Sequence, residues 1–159
     1  MLTPFTFARL THQKNSMLYH FQEGWITAPP HVTDRTMHLL APEPGSGGMT
    51  IAISKDPLEA DETPPEFLKR QLDELSRQVS KFTRSEIEPA FLGASQKIGG
   101  SKFSVSYKQQ GKTVYHVQSL FLLPETRQVL SLTFSLPIPF TDAHHQMVSE
   151  VLESFVLRE

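Results

Sequence analysis

The chain has 159 residues, of which 38% are apolar and 20% charged, with a net charge of −2 and no cysteine. That length suits one domain with a real core and no covalent staples; the charge balance lacks the basic field of a nucleic-acid binder. The missing cysteines exclude disulfides, thiolate nucleophiles and cysteine metal sites, and suit a reducing compartment, so a cytoplasmic protein is expected.

No stretch approaches the roughly 18 to 20 uncharged apolar residues that span a bilayer. Residues 1–16 lack the apolar run of a secretory signal because Arg9, His12, Gln13 and Lys14 interrupt them. They show neither helical nor strand period and precede a second methionine, Met17. They are expected to be a disordered or peripheral extension, or to lie upstream of the true start, with a single domain over 17–159.

Leu18 to Phe21 and Trp25 to Ala28 read as short strands, the second stopped by Pro29-Pro30. A third strand runs from Arg35 to Leu40 and a fourth from Met49 to Ser54, joined by a turn rich in glycine over residues 43–48. The spacing of Gly45, Gly47 and Gly48 matches neither a dinucleotide fingerprint nor a P-loop, and a strand rather than a helix follows. Asp56, Glu59, Asp61 and Glu62 are not spaced as a calcium loop and read as a solvated linker.

Thr63-Pro64-Pro65-Glu66 is a helix start: a threonine N-cap, prolines in the first turn and a glutamate three residues on, the pattern of a capping box. Leu68, Leu72, Leu75, Val79 and Phe82 then recur at helical steps, with Gln71 and Gln78 flanking the stripe. Thr83 to Pro89 reads as a charged edge strand, and Phe91 to Ile98 as another before Gly99-Gly100. Phe103, Val105 and Tyr107 alternate with polar residues in a clear strand that turns at Gln109-Gln110-Gly111.

Lys112 to Leu136 is a β-hairpin turning at residues 123–127. In its second arm Leu130, Leu132, Phe134 and Leu136 alternate with Val129, Ser131, Thr133 and Ser135, one greasy face against one of small hydroxyls. In its first arm Val114, His116, Gln118, Leu120 and Leu122 share one parity while Tyr115, Val117 and Phe121 share the other, so both faces look covered. Thr141 caps a final helix with Met147, Val148, Val151, Leu152 and Phe155 as its apolar stripe.

Catalytic signals are missing. The seven histidines include His144-His145, adjacent on a helix and about 100° apart, and there is no H-E-x-x-H motif. Capping or surface roles are expected for them. No serine sits in a nucleophile elbow. The chain is expected not to be an enzyme and to need no cofactor or metal.

Met17-Leu-Tyr-His-Phe-Gln-Glu-Gly, Asp34 to Leu40, Met49 to Asp56, the long helix and Tyr115-His-Val-Gln118 together resemble the DcrB-like family, and more narrowly the Eag-type chaperones of type VI secretion. The likeness covers Met17 to the C-terminus. It implies an α+β, Mog1/PsbP-like fold, a twisted antiparallel sheet carrying a long central helix and a C-terminal helix, assembled as a homodimer. It implies a cytoplasmic chaperone or adaptor that shields N-terminal transmembrane helices of PAAR- or Rhs-containing effectors before loading onto the secretion spike.

Such a holder needs an apolar groove with polar side chains for small polar groups on the client. Gln118, an amide among Val114, Leu120 and Leu122, is one candidate contact. By family likeness the strand Met37, His38, Leu39, Leu40, the strand Ile51 to Ser54 with Ile53 within it, and Gln71 are the others. Which strand parity faces the client stays open. A Mog1-like regulatory module with a polar surface for a soluble protein partner is the alternative, and a small-molecule or lipid-binding enzyme using a sheet cavity is a third reading.

Overall fold

The computed structural model describes residues 16–95 and 98–158. Apart from Ser16, the expectation for the N-terminal extension therefore lies outside the described residues. The chain forms two compact units, one ending at Arg35 and one running from Thr36 to Glu159.

The first contains β1 (Met17–Phe21) and β2 (Gly24–Ala28), an antiparallel hairpin with Met17 opposite Ala28 and Phe21 opposite Gly24. On one face of β1 the rings of Tyr19 and Phe21 stack with centroids 6.4 Å apart. The Tyr19 hydroxyl donates to Asp34 Oδ1 at 3.4 Å.

The second unit holds β3 (Met37–Leu40), β4 (Thr50–Pro57), α1 (Pro64–Gln78), β5 (Ser80–Arg84), β6 (Glu88–Leu92), β7 (Ile98–Gln109), β8 (Lys112–Leu122), β9 (Gln128–Leu136) and α2 (Asp142–Glu153). Its sheet is antiparallel in the order β3-β4-β9-β8-β7-β5, with β6 also paired to β7. The fold is α+β, one large sheet with a helix on each face.

Local chemistry explains the ends of these elements. At α1, Thr63 Oγ1 accepts from the Glu66 N–H at 3.4 Å, with Pro64 and Pro65 opening the helix where their missing N–H groups cost nothing. The Glu66 carboxylate accepts from the Thr63 hydroxyl at 2.9 Å, so the capping residues bind each other through their side chains. The helix ends at Gln78 rather than running on to Phe82. Val79 is already extended, and Ser80 pairs with Lys108 on β7. Val79 and Phe82 nevertheless pack against the cluster that α1 covers. The turn between β7 and β8 has positive φ at Gln110 and Gly111, the conformation of a tight primed hairpin.

The edge strand expected over Thr83 to Pro89 is two strands. The chain leaves the ladder at Ser85, whose N–H donates to Ser104 O while its Oγ accepts from Ser104 N–H at 2.8 Å. β6 then pairs with the other half of the long β7, its Pro89 lying on an outer strand where no N–H is needed.

Pairing sorts the sheet into two faces. Val117, Phe121, Leu132 and Phe134 share one with Ile51 and Ile53, and Val148 and Leu152 of α2 close it. Phe134 and Val117 are at most 1% exposed there. Phe103, Val105, Tyr107, Val114 and Leu120 share the other face under Leu68, Leu72 and Leu75 of α1. The second arm buries Leu132, Phe134 and Leu136 as its alternation predicts, but Val129 on its hydroxyl face is buried too, against Phe67, and the first arm fully buries only the parity of Val117, Ser119 and Phe121.

A polar cleft beside the first helix

Among the described residues of this unit, α1 lies over the β7–β8 half of its face and no helix covers the β9–β4–β3 half. By register Gln118 stands opposite Thr133, Thr133 opposite Ala52 and Ala52 opposite Leu39, while Leu120, Ser131, Ser54 and Met37 form the adjoining row. The floor is therefore small and hydroxyl-bearing in the middle and apolar at the β3 edge, where Met37 and Leu39 are 62% and 63% exposed. Along α1 the floor deepens into a cleft of about 290 Å³ walled by Gln71, Glu74, Leu75 and Gln78.

None of the side chains of Ser54, Gln71, Gln118, Ser131 and Thr133 hydrogen-bonds another protein group among the described residues. On the closed face the comparable Ser119 is satisfied, its hydroxyl donating to Leu132 O at 2.9 Å. These side chains are half-buried and none is among the fully buried groups that lack a partner, so water can serve them in the free protein and a ligand that displaces it can take its place.

The start of α1, whose Phe67 ring lines the cleft, is braced by charge. Glu62 accepts from Arg70 Nε at 2.9 Å and from a second Arg70 nitrogen at 3.0 Å, and the Glu59 N–H donates to the same carboxylate. The paired guanidinium holds the Glu62 carboxyl below its ordinary pKa. Arg127 donates to the carbonyls of Glu59 and Glu62, and the Arg70 guanidinium lies 5.2 Å over the Phe67 ring. The acidic segment expected to be a solvated linker is instead a bracket fixing the start of α1 to the β8–β9 turn. Glu62 is only 9% exposed because both its oxygens are in use.

The candidate client residues divide by parity. Ser54, Gln71, Gln118 and Leu120 meet in the cleft, and Met37 and Leu39 continue its floor. Ile51 and Ile53 pair with Phe134 and Leu132 and pack with α2, with Leu40 and His38 next to them in register. Val114 lies beneath α1. Sequence reasoning passed over Phe67, 2% exposed in the first turn of α1, because it falls off the leucine stripe. It also placed Ser131 and Thr133 on a face of small hydroxyls without giving that face a role, although their alternation with a greasy face was the signal.

At the hairpin's open end His116 lies edge-on to Tyr107, centroids 5.2 Å apart, its Nε2 3.4 Å from the hydroxyl. Its buried Nδ1 has no partner among the described residues, and burial lowers its pKa. Among the described residues no group of His, Asp and Glu is placed to hold a metal ion. Nor is any helix there long and apolar enough to cross a membrane.

The family model of DcrB matches residues 23–154. No curated protein matches the sequence. Among solved structures the chain is similar to PA94, a Pseudomonas aeruginosa protein of unknown function, at 16% identity and a TM-score of 0.66 over 92% of this chain and 99% of that one. A weaker likeness, with a TM-score of 0.44 and 18% identity over 74% of this chain and 76% of the other, is to LpqN of Mycobacterium tuberculosis, described as involved in cell envelope biogenesis.

Proposed function

Because the chain belongs to the DcrB family, and because its open sheet face sets unpartnered polar side chains among apolar ones, we propose that it is a chaperone for apolar helices. The clients are N-terminal transmembrane helices of a PAAR- or Rhs-containing type VI effector, held in the cytoplasm by a homodimer before loading onto the spike.

The observation that carries this reading is the cleft's mixed lining. A transmembrane helix in water exposes about 20 apolar residues, so its holder must offer apolar surface of similar reach. Met37, Leu39, Leu75 and Leu120 supply it. Transmembrane helices also carry small and hydroxyl-bearing residues at their packing faces. Gln71, Gln118, Ser54, Ser131 and Thr133 can donate to or accept from these, and the small floor residues admit close approach of a backbone.

The width agrees. Three strand spacings from β3 to β8 give a strip roughly 14 Å wide, against roughly 10 to 12 Å for a helix with its side chains. One helix fits alongside α1.

Expression of an effector bearing membrane helices with this chain tests the proposal. The two co-purify, and Gln118→Arg, which puts a charge on the cleft floor, abolishes co-purification while the variant stays folded. An effector held equally well by folded Gln118→Arg overturns it. Capture through a salt-sensitive polar contact, indifferent to that change, favours instead a regulatory module for a soluble protein.

A further inference from the structure

A larger cavity of about 670 Å³ lies on the opposite flank of α1 from the polar cleft, and the proposed function makes no use of it. Its walls are Leu68 and Leu72 of α1, Phe82 of β5, Ile87, and Leu120 and Leu122 of β8. Ile87 and Leu122 remain 42% and 36% exposed, so part of this apolar wall stands in water.

The floor is open because β7 has glycine there. A Cβ on Gly99 would meet nothing closer than Phe91 Cε1 at 3.8 Å, an ordinary contact, and its φ is one any residue adopts. Neither strain nor crowding requires glycine at 99. Its effect is to leave the cavity unfilled.

Lys69 and Arg84 also line the cavity, with Asp73 one turn along the helix from Lys69. Among the described residues neither cation is in an ion pair, and Arg84 donates to Ser85 O at 2.9 Å. Two cations against one carboxylate leave net positive charge beside an apolar space. The volume lies within the roughly 300 to 1,000 Å³ of small-molecule sites.

We infer that this cavity binds a single-chain anionic amphiphile, its acyl tail between α1 and the Gly99 floor and its head group at Lys69 and Arg84. A carboxylate and a phosphate head satisfy the same chemistry, as a fatty acid or a lysophospholipid. An uncharged apolar helix gains nothing from the two cations, which is why the amphiphile is favoured. The inference rests on this cavity alone and not on the chaperone reading.

The full chain is titrated calorimetrically with palmitate, with 1-palmitoyl lysophosphatidic acid and with neutral monopalmitin, each below its micelle concentration. The wild type binds at least one of the anions saturably, one per chain, and at least tenfold more tightly than monopalmitin. Preference for palmitate assigns a carboxylate head, and preference for the lysophospholipid a phosphate head. Gly99→Phe fills the cavity, and Lys69→Glu with Arg84→Glu reverses its charge at exposed positions. Each weakens binding of the anion at least tenfold with the circular dichroism spectrum unchanged. Absence of saturable binding by the wild type, equal affinity for monopalmitin, or anion binding indifferent to both sets of changes overturns the inference. Occupancy by an apolar peptide helix in place of either lipid overturns it as well.

Discussion

Gln118 on β8 stands directly opposite Thr133 on β9, and both side chains line the cleft beside α1 without a protein partner among the described residues. Nothing in the fold leans on the amide. Gln118→Leu is expected to change unfolding free energy by about 0.5 kcal/mol or less. Affinity for a client helix presenting a polar group is expected to fall about tenfold, the worth of one lost hydrogen bond at about 1 to 1.5 kcal/mol. Urea denaturation checks the first and peptide titration the second.

Two adjacent glycines on β7 are expected to behave in opposite ways. A Cβ on Gly100 would collide with the Leu120 carbonyl oxygen and lie 2.5 Å from Phe121 Cδ1, whereas one on Gly99 meets only the edge of Phe91 at 3.8 Å. Gly100→Ala pushes β7 off β8 at the end of their ladder and is expected to cost about 1 to 3 kcal/mol. Gly99→Ala is expected to stay within about 0.5 kcal/mol of wild type. Urea midpoints of the two variants check the contrast.

Helix α2 depends on a local clasp. Thr141 Oγ1 accepts from the His144 N–H at 3.3 Å, and His144 Nδ1 accepts from the Thr141 N–H at 3.0 Å. Thr141→Ala removes the first bond and is expected to cost about 1 kcal/mol. Val148 and Leu152 tie α2 to the main core, so the loss is expected to appear in the global melting transition rather than as local fraying.

Acidification is expected to destabilise the fold in two windows. Burial lowers the His116 pKa below 6.5, so between that value and its folded pKa the unfolded chain binds the proton more readily. Stability from this group is complete above about pH 6.5 and falls as pH drops through the window. Glu62 is lowered from 4.5, chiefly by its hydrogen bonds to Arg70, so its contribution is complete above that value and lost as pH falls through the folded pKa. Melting temperatures are expected to decline first below about pH 6.5, a decline His116→Gln removes, and again below about pH 4.5, a decline Glu62→Gln removes.

The parts of the fold set by neighbouring residues were legible in the sequence. Thr63 and Thr141 announced both helices, and the alternation in Leu130 to Leu136 named the buried face of β9. Contacts between distant residues were not. The bracket joining Glu62 to Arg70 and Arg127 spans up to 65 residues, and no local pattern encodes it. The break at Ser85 depends on Ser104, nineteen positions away. The cleft itself was half legible. Gln118 and Gln71 stood out as amides among apolar residues, but the open parity of β3 and β4 follows from which strands α1 covers, and that is a property of packing.

The most direct test of the chaperone account is amide chemical-shift mapping of the isotope-labelled chain with a 20-residue apolar helical peptide bearing one central serine. Shifts concentrated at Met37, Leu39, Ser54, Gln71, Gln118 and Thr133, with Ile51, Ile53 and the α2 face unmoved, are the predicted result. Shifts centred on α2 or another surface, or no shifts at saturating peptide, would contradict the account.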